Sequence, residues 1–171
     1  GLAYLPLSVA IIVSAAVGGQ LVTRVGFKPI LATGMLSMSL GLAWFSQIEA
    51  GGSFAADVLG PSLLAAVGLG FGFVTSTIAA TSGVDAREQG LASGLINTSQ
   101  QIGGALGLAV LSTIATSRTD DALASGGAVP DALTEGFQAA FLGGAVIGLI
   151  GFVATLIAAG AVVLEGVEIP P

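Results

Sequence analysis

Five long apolar runs alternate with short polar gaps along the chain, at about residues 2–22, 30–48, 58–80, 91–116 and 137–164. A hydrocarbon core of about 30 Å needs roughly 20 helical residues to cross it, and each run meets or approaches that length. The runs do not alternate with the period of two that barrel strands show. Lipid offers no partner for a bare backbone N–H or C=O, so the pattern predicts five transmembrane helices. The gaps carry the charge. Arg24 and Lys28 lie in the first, and Glu49 and Asp57 flank Gly51-Gly52 in the second. Asp85, Arg87 and Glu88 lie in the third. The fourth, "SRTDDALASGGAVPDALTEG" over 117–136, is predicted to be the longest loop, with Arg118 as its one base.

Composition strengthens this picture. Hydrophobic residues make up 54% of the 171, charged residues 8%, and mean hydropathy is +0.99. A soluble globular chain carries about 25% charged residues, enough to cover a wetted surface. The predicted class is therefore an all-α polytopic membrane protein whose first partner is the lipid bilayer. The net charge of −6 and only four bases leave no basic footprint for nucleic acid. With no Cys and no His, disulfides, zinc sites and haem ligation have no ligands here, so no metal and no cofactor are predicted. Gly1 is not a Met, and no basic stretch precedes the first run, so that run does not read as a signal peptide. The chain reads as part of a longer polypeptide. One further helix ahead of the first would make six, two groups of three with opposite topology, as inverted-repeat transporters are built.

Loop charge predicts orientation. Cytoplasmic loops collect Lys and Arg. The first and third gaps lie on one side and hold Arg24, Lys28 and Arg87, whereas the second and fourth hold only Arg118. Loops 23–29 and 81–90 are thus predicted to be cytoplasmic, with Gly1 outside and the C-terminus inside. The tail "LEGVEIPP" is acidic and adds no support, but acids weigh little in this rule.

The first gap has a spacing of its own: Gly19-x-Leu21-x-Thr23-Arg24-x-Gly26-x-Lys28-x-x-Leu31. It resembles the signature loop of the major facilitator superfamily, G-x-L-a-D-r-x-G-r-k-x-x-l. Thr23 stands where that pattern has Asp, and Phe27 where it often has Arg. The departures fit the degenerate copy found in the second bundle. The stretch "EQGLASGLINTSQQIGGALGLAVLSTIAT", with Gly90, Asn97, Gly104 and Gly107, resembles the penultimate helix of the fourteen-helix drug:proton antiporters. Together these resemblances imply helices ten to fourteen of fourteen, five helices of a six-helix C-terminal bundle. Physical chemistry gives the same loop a role independent of any family. Gly26 permits a turn with positive φ, Pro29 suits a first helical turn, and Arg24 and Lys28 can reach phosphates or the carbonyls of a helix C-terminus.

The fourth run holds the main candidate site. At 100° per residue, Ser93, Asn97, Gln100, Gln101 and Gly104 share an arc of about 100°, with Leu95, Ile102 and Leu106 opposite. Asn97 lies roughly 9 Å and Gln101 roughly 15 Å from the end of the run, near mid-bilayer. Polar groups there must face protein or water. Two alternatives stand: a stripe lining a cavity or domain interface, or interhelical hydrogen-bond glue worth about 0.6–2 kcal/mol. The resemblance implies that this helix borders a central cavity.

The third run contains "GLGFGF", residues 68–73. A dinucleotide fingerprint needs a strand before it and a helix after it, and neither is predicted. Close helix packing or bending is what such glycines allow, the resemblance implies a cavity helix in which their flexibility could serve rocking, and Gly60-Pro61 is placed to kink this helix. In the fifth run Gly144, Gly148 and Gly151 predict small-residue packing, and Trp44 in the second predicts an interfacial aromatic. No ionisable residue lies deep inside any run, so a proton relay, which needs one, has no carrier here.

The resemblance implies a proton-coupled multidrug efflux antiporter of a bacterial plasma membrane, working by alternating access. Its implied partners are the N-terminal bundle of the same transporter, an amphipathic drug or dye, and protons handled by that other part. A metabolite carrier of the same superfamily and a non-transporting membrane scaffold are the alternatives. No catalytic constellation is present, so the chain is not predicted to be an enzyme.

Overall fold

The computed structural model describes residues 4–82 and 84–165. The expectations placed on Gly1 and on the end of the acidic tail lie outside these residues. Among them the chain is all-α, with helices α1 (Leu5–Val25), α2 (Phe27–Phe45), α3 (Gly60–Thr81), α4 (Gln89–Ala124) and α5 (Val129–Glu165). A π-helical segment, Phe54–Leu59, leads into α3.

Three stretches are long and apolar enough to cross a membrane among the described residues: Leu5–Val25, Asp57–Thr81 and Val129–Ile157. Five were expected. In α2, only 19 residues long, Lys28 and Pro29 fall within the helix. In α4 the carboxamides, hydroxyls and the charges from Arg118 to Asp121 dilute the apolar run.

Two predicted loops are shorter than expected. The gap at 23–29 reduces to the single residue Gly26 between α1 and α2. Its φ of 81° and ψ of 169° turn the chain at a position that a Cβ would strain. Arg24 consequently lies in the last turn of α1, where a cation suits the helix dipole. Lys28 lies in the first turn of α2, just past the C-terminal end of α1. The long fourth loop is likewise overturned: α4 continues to Ala124, α5 begins at Val129, and only 125–128 separate them. The Ala, Leu, Thr and Asp residues of this stretch tolerate helix where they meet water. The chain turns at Gly126, with φ 87°.

The expected kink at Gly60-Pro61 takes another form. Pro61 has no N–H and its ring crowds the carbonyl four residues back. The wider π turn ends at Leu59 and regular α-helix starts at Gly60.

Helix α2 is the centre of the bundle, between α3 and α5, with α1 on the far side of α3 and α4 on the far side of α5. The interior is built of small residues. A Cβ on Gly41 would lie 2.7 Å from the Ala65 nitrogen, and one on Gly68 would lie 2.5 Å from the Met38 nitrogen. On the α5 side Gly144 meets Leu42, Gly148 meets Ser39 and Gly151 meets Met35. Many large apolar side chains are instead exposed, among them Val9, Ile12, Leu108 and Ile157. Association between helices in lipid comes from close packing and hydrogen bonds, so small residues inside and large ones outside are what a bilayer selects.

Helix directions alternate, so the ends of the bundle differ in charge. Arg24, Lys28 and Arg87 gather at one end. Glu49, Asp57, Asp131 and Glu135 gather at the other, where the Gln138 Nε2 donates to the Ile48 carbonyl oxygen at 2.5 Å.

Candidate functional site

A groove of about 420 Å³ runs between α2, α3 and α4. Met35 and Met38 of α2 line it, with Gly68, Leu69, Gly72, Phe73 and Ser76 of α3 and Gln100 of α4. Its size is that of small-molecule sites, which are mostly apolar with a few placed polar groups. Here those groups are the Gln100 carboxamide and the Ser76 hydroxyl. The hydroxyl already donates to the Phe73 carbonyl oxygen at 3.0 Å.

The five stripe residues fall in two environments. Gln100 is half-buried and enters the groove. Ser93, Asn97, Gln101 and Gly104 are exposed on the adjoining face of α4. Among the described residues, none of the three carboxamides hydrogen-bonds to another group of the chain. The N-terminal half of α4 stands clear of its neighbours: a Cβ on Gly90, Gly94, Gly103 or Gly104 would meet nothing within 4 Å. Leu95, Ile102 and Leu106, opposite the stripe, are exposed as well.

The "GLGFGF" stretch divides by position. Gly68 and Gly70 are buried at close approaches, the first to α2 and the second to Ile11 and Ser14 of α1. Gly72 faces the groove, where a Cβ would make an ordinary 3.7 Å contact with the Met35 methyl. Packing accounts for the first two glycines. Thr75, fully buried, returns its hydroxyl to the Phe71 carbonyl oxygen at 2.5 Å and leaves no polar atom unpaired.

The loop residues lie away from this groove. Gly19 packs on Val74 of α3, with a Cβ position 3.9 Å from it. Arg24 is exposed and Lys28 half-buried. Among the described residues neither forms an ion pair. Across the third gap the Arg87 N–H donates to the Asp85 Oδ1 at 3.0 Å, which orders the turn into α4. No group of three or more metal-ligating side chains occurs among the described residues.

The sequence profile of the Major Facilitator Superfamily matches residues 1–108, more than half of the chain and all of α1 to α3. The chain belongs to this superfamily. It is an integral membrane protein of a transporter family, not an enzyme. Curated relatives agree. The cephamycin export protein CmcT of Amycolatopsis lactamdurans is 34% identical over 147 residues, 85% of this chain and 29% of the relative. The puromycin resistance protein pur8 of Streptomyces alboniger is 31% identical over 80% of this chain and 28% of its own length. A tetracenomycin C resistance and export protein of Streptomyces glaucescens is 36% identical over 71% of this chain and 22% of its own. The chain thus spans under a third of the length of these relatives. No solved structure matches it.

Within that family the groove residues could have been singled out only in part. Gln100 stood out as a carboxamide in a membrane helix. Met35, Met38 and Phe73 carry no such signal, being ordinary apolar residues in apolar runs.

Proposed function

We propose that this chain is the C-terminal part, helices ten to fourteen, of a proton-coupled drug efflux antiporter that works by alternating access. The observation that carries the proposal is the α4 stripe: three carboxamides on one helix, none hydrogen-bonded to another of the described residues, one of them at an apolar groove. Polar groups so placed face either an aqueous pathway or another part of the transporter. The efflux activity of the relatives supports export of an amphipathic compound. The N-terminal bundle, outside this chain, closes the pathway against α4 and carries the titratable groups for proton coupling. The basic end of the bundle, with loops 23–29 and 81–90, faces the cytoplasm of a bacterial plasma membrane.

Cysteine scanning of residues 93–108 in the full-length transporter tests this. Positions 93, 97, 100, 101 and 104 react with a small water-soluble thiol reagent, and transported substrate slows them. Positions 95, 102 and 106 stay silent. Reaction without this periodicity, or a silent polar face in every transport state, rules the stripe out as part of the pathway.

A further inference from the structure

Helix α5 is longer than the bilayer it crosses. Its apolar stretch Val129–Ile157 has 29 residues, where about 20 suffice to span a hydrocarbon core. Gln138 donates to the Ile48 carbonyl oxygen, and the Phe141 ring stacks on Phe45 with centroids 4.8 Å apart and planes 22° from parallel. These contacts hold Gln138 level with the end of α2. The residues from Val129 to Phe137 therefore run past that end, by about 13 Å at 1.5 Å per residue. The end of α4 runs beside them, with Gly136 against Ala115 and Thr119. Arg118, Asp120, Asp121, Asp131 and Glu135 all lie on this projecting hairpin. Charges at that density belong in water rather than in hydrocarbon.

Apolar side chains are open at the same end. Three hollows of about 180, 380 and 350 Å³ follow one another across it. The first and second share Val58, and the second and third share Phe137, so together they form one trough. Tyr4, Phe54, Val58, Phe137 and Leu133 mark its course, and all five are exposed. It crosses the bundle from the start of α1 on one flank to the α4–α5 hairpin on the other. A contiguous apolar surface of this kind marks an interaction site. Lipid does not supply the cover, because Leu133 and Phe137 stand on the charged hairpin beyond the end of α2.

The direction of α1 identifies what does. Helix α1 begins at Leu5 at the acidic end, and Tyr4 just before it lines the first hollow. Polypeptide that runs into α1 arrives at the mouth of the trough. The chain spans under a third of the length of its relatives. A segment tethered at the trough meets it at an effective concentration on the order of millimolar, which favours it over a free partner.

We propose that the segment directly upstream of residue 1 in the longer transporter lies in this trough as a strap, tying the start of α1 to the α4–α5 hairpin. The inference rests on the reading of this chain as the C-terminal part of a longer protein. Its chemistry follows from the trough: apolar side chains seat against Val58, Phe137 and Leu133.

The test is photocrosslinking in the full-length transporter in native membranes, with a photoreactive benzoylphenylalanine placed at Phe137 and, separately, at Leu133. Mass spectrometry of the digested products identifies what each position touches. The expected crosslink is to a peptide of the same polypeptide, between residue 1 and the transmembrane helix before it. Asp131, exposed and two residues from Leu133, faces the other side of α5, and the same probe there gives no such product. Products confined to lipid, a second copy, another protein or a different part of the chain overturn the proposal, as does the absence of any product. Where a probe variant fails to fold, Leu133→Cys and Phe137→Cys serve instead, in a background without other reactive cysteines. A membrane-impermeant maleimide is expected to label them at least tenfold more slowly than Asp131→Cys, and equal rates overturn the strap. Neither measurement uses transport. Drug efflux with crosslinks elsewhere removes the strap alone, and the expected crosslink in a protein that exports no drug removes the efflux reading alone.

Discussion

The Ser39 hydroxyl donates to the Ala145 carbonyl oxygen at 2.6 Å, a buried bond between residues 106 apart in sequence. On another face of α2 the Ser37 hydroxyl donates to the Leu64 carbonyl oxygen at 2.8 Å. The central helix is thereby tied to α5 and to α3. The Ser39 hydroxyl sits beside a glycine contact, since a Cβ on Gly148 would lie 3.2 Å from the Ser39 Cβ. Ser39→Ala is expected to lower stability by about 1 kcal/mol, the scale of interhelical hydrogen bonds in membranes. Gly148→Leu is expected to cost more, because α5 must move away from α2. Reversible unfolding in mixed micelles measures both. An Ala variant as stable as the parent would mean that the bond makes no net contribution.

Gly26 is the whole connection between α1 and α2, at φ 81° with nothing within 4 Å of its Cβ position. Any substitution cost there is conformational rather than steric crowding. Gly26→Val, β-branched and poorly tolerant of positive φ, is expected to lower the amount of folded transporter and its transport rate severalfold. Phe27→Ala, at the first residue of α2, is expected to have the smaller effect. Expression-matched transport assays compare the two. Equal and mild effects would reduce this turn to a determinant of topology.

The paired arms of α4 and α5 make a separate prediction. Ala132 is fully buried, and Gly136 leaves space beside the Thr119 hydroxyl, with a Cβ position 2.6 Å from the Ala115 carbonyl oxygen. Gly136→Val is expected to part the arms and cost about 1–3 kcal/mol, as overpacking does. Arg118→Ala removes an ion pair whose side chains are 56% and 44% exposed, and the expected cost is below about 1 kcal/mol. Disulfide trapping between cysteines introduced at 118 and 135 reports the separation: it falls in the Gly136→Val background and persists with Thr119→Ala.

These arms also mark where the sequence stopped being legible. The five helices were readable because apolar length in a membrane chain has one reading, and Gly26 because its place between two runs required a turn. The helical state of 117–136 was not. At the water interface, charges and alanines fit a helix as well as a loop, and contact between the arms at Ala132 and Gly136 decides for helix. Periodicity put Gln100 and Gln101 on one arc. It did not show that the first enters a groove while the second stays exposed, because the approach of α3 to α4 sets that edge. The stacked pair Phe45 and Phe141 was invisible for the same reason, 96 residues apart in two helices that meet only in the fold.

Orientation is open to direct measurement. Cysteines at Val25 and Ala86, both at the basic end, are expected to label only from the cytoplasm in intact cells, and one at Gly126 only from outside. Labelling at position 25 from outside would reverse the assignment and place the acidic end in the cytoplasm.

The groove makes the sharpest prediction, through two glycines one turn apart on α3. A Cβ on Gly68 would press on the Met38 nitrogen and Cα at 2.5 and 2.7 Å, both backbone atoms that cannot swing aside. A Cβ on Gly72 would touch only the Met35 methyl, at 3.7 Å and at the end of a flexible side chain. Gly68→Ala is therefore expected to destabilise the bundle by about 1–3 kcal/mol and to lower transport of every substrate in step with the amount of folded protein. Gly72→Ala is expected to leave stability within about 0.5 kcal/mol, since interior crowding is absent. If the groove takes substrate, filling it at Gly72 changes the ranking of substrates by severalfold, with bulky compounds losing most, and Gln100→Ala changes the ranking of those with hydrogen-bonding groups. Export assays over a panel of compounds graded in size, normalised to folded protein, separate the two effects. A Gly72→Ala variant that keeps the parent's ranking across the panel, with Gln100→Ala equally silent, would leave the groove a packing defect between three helices and not a substrate site.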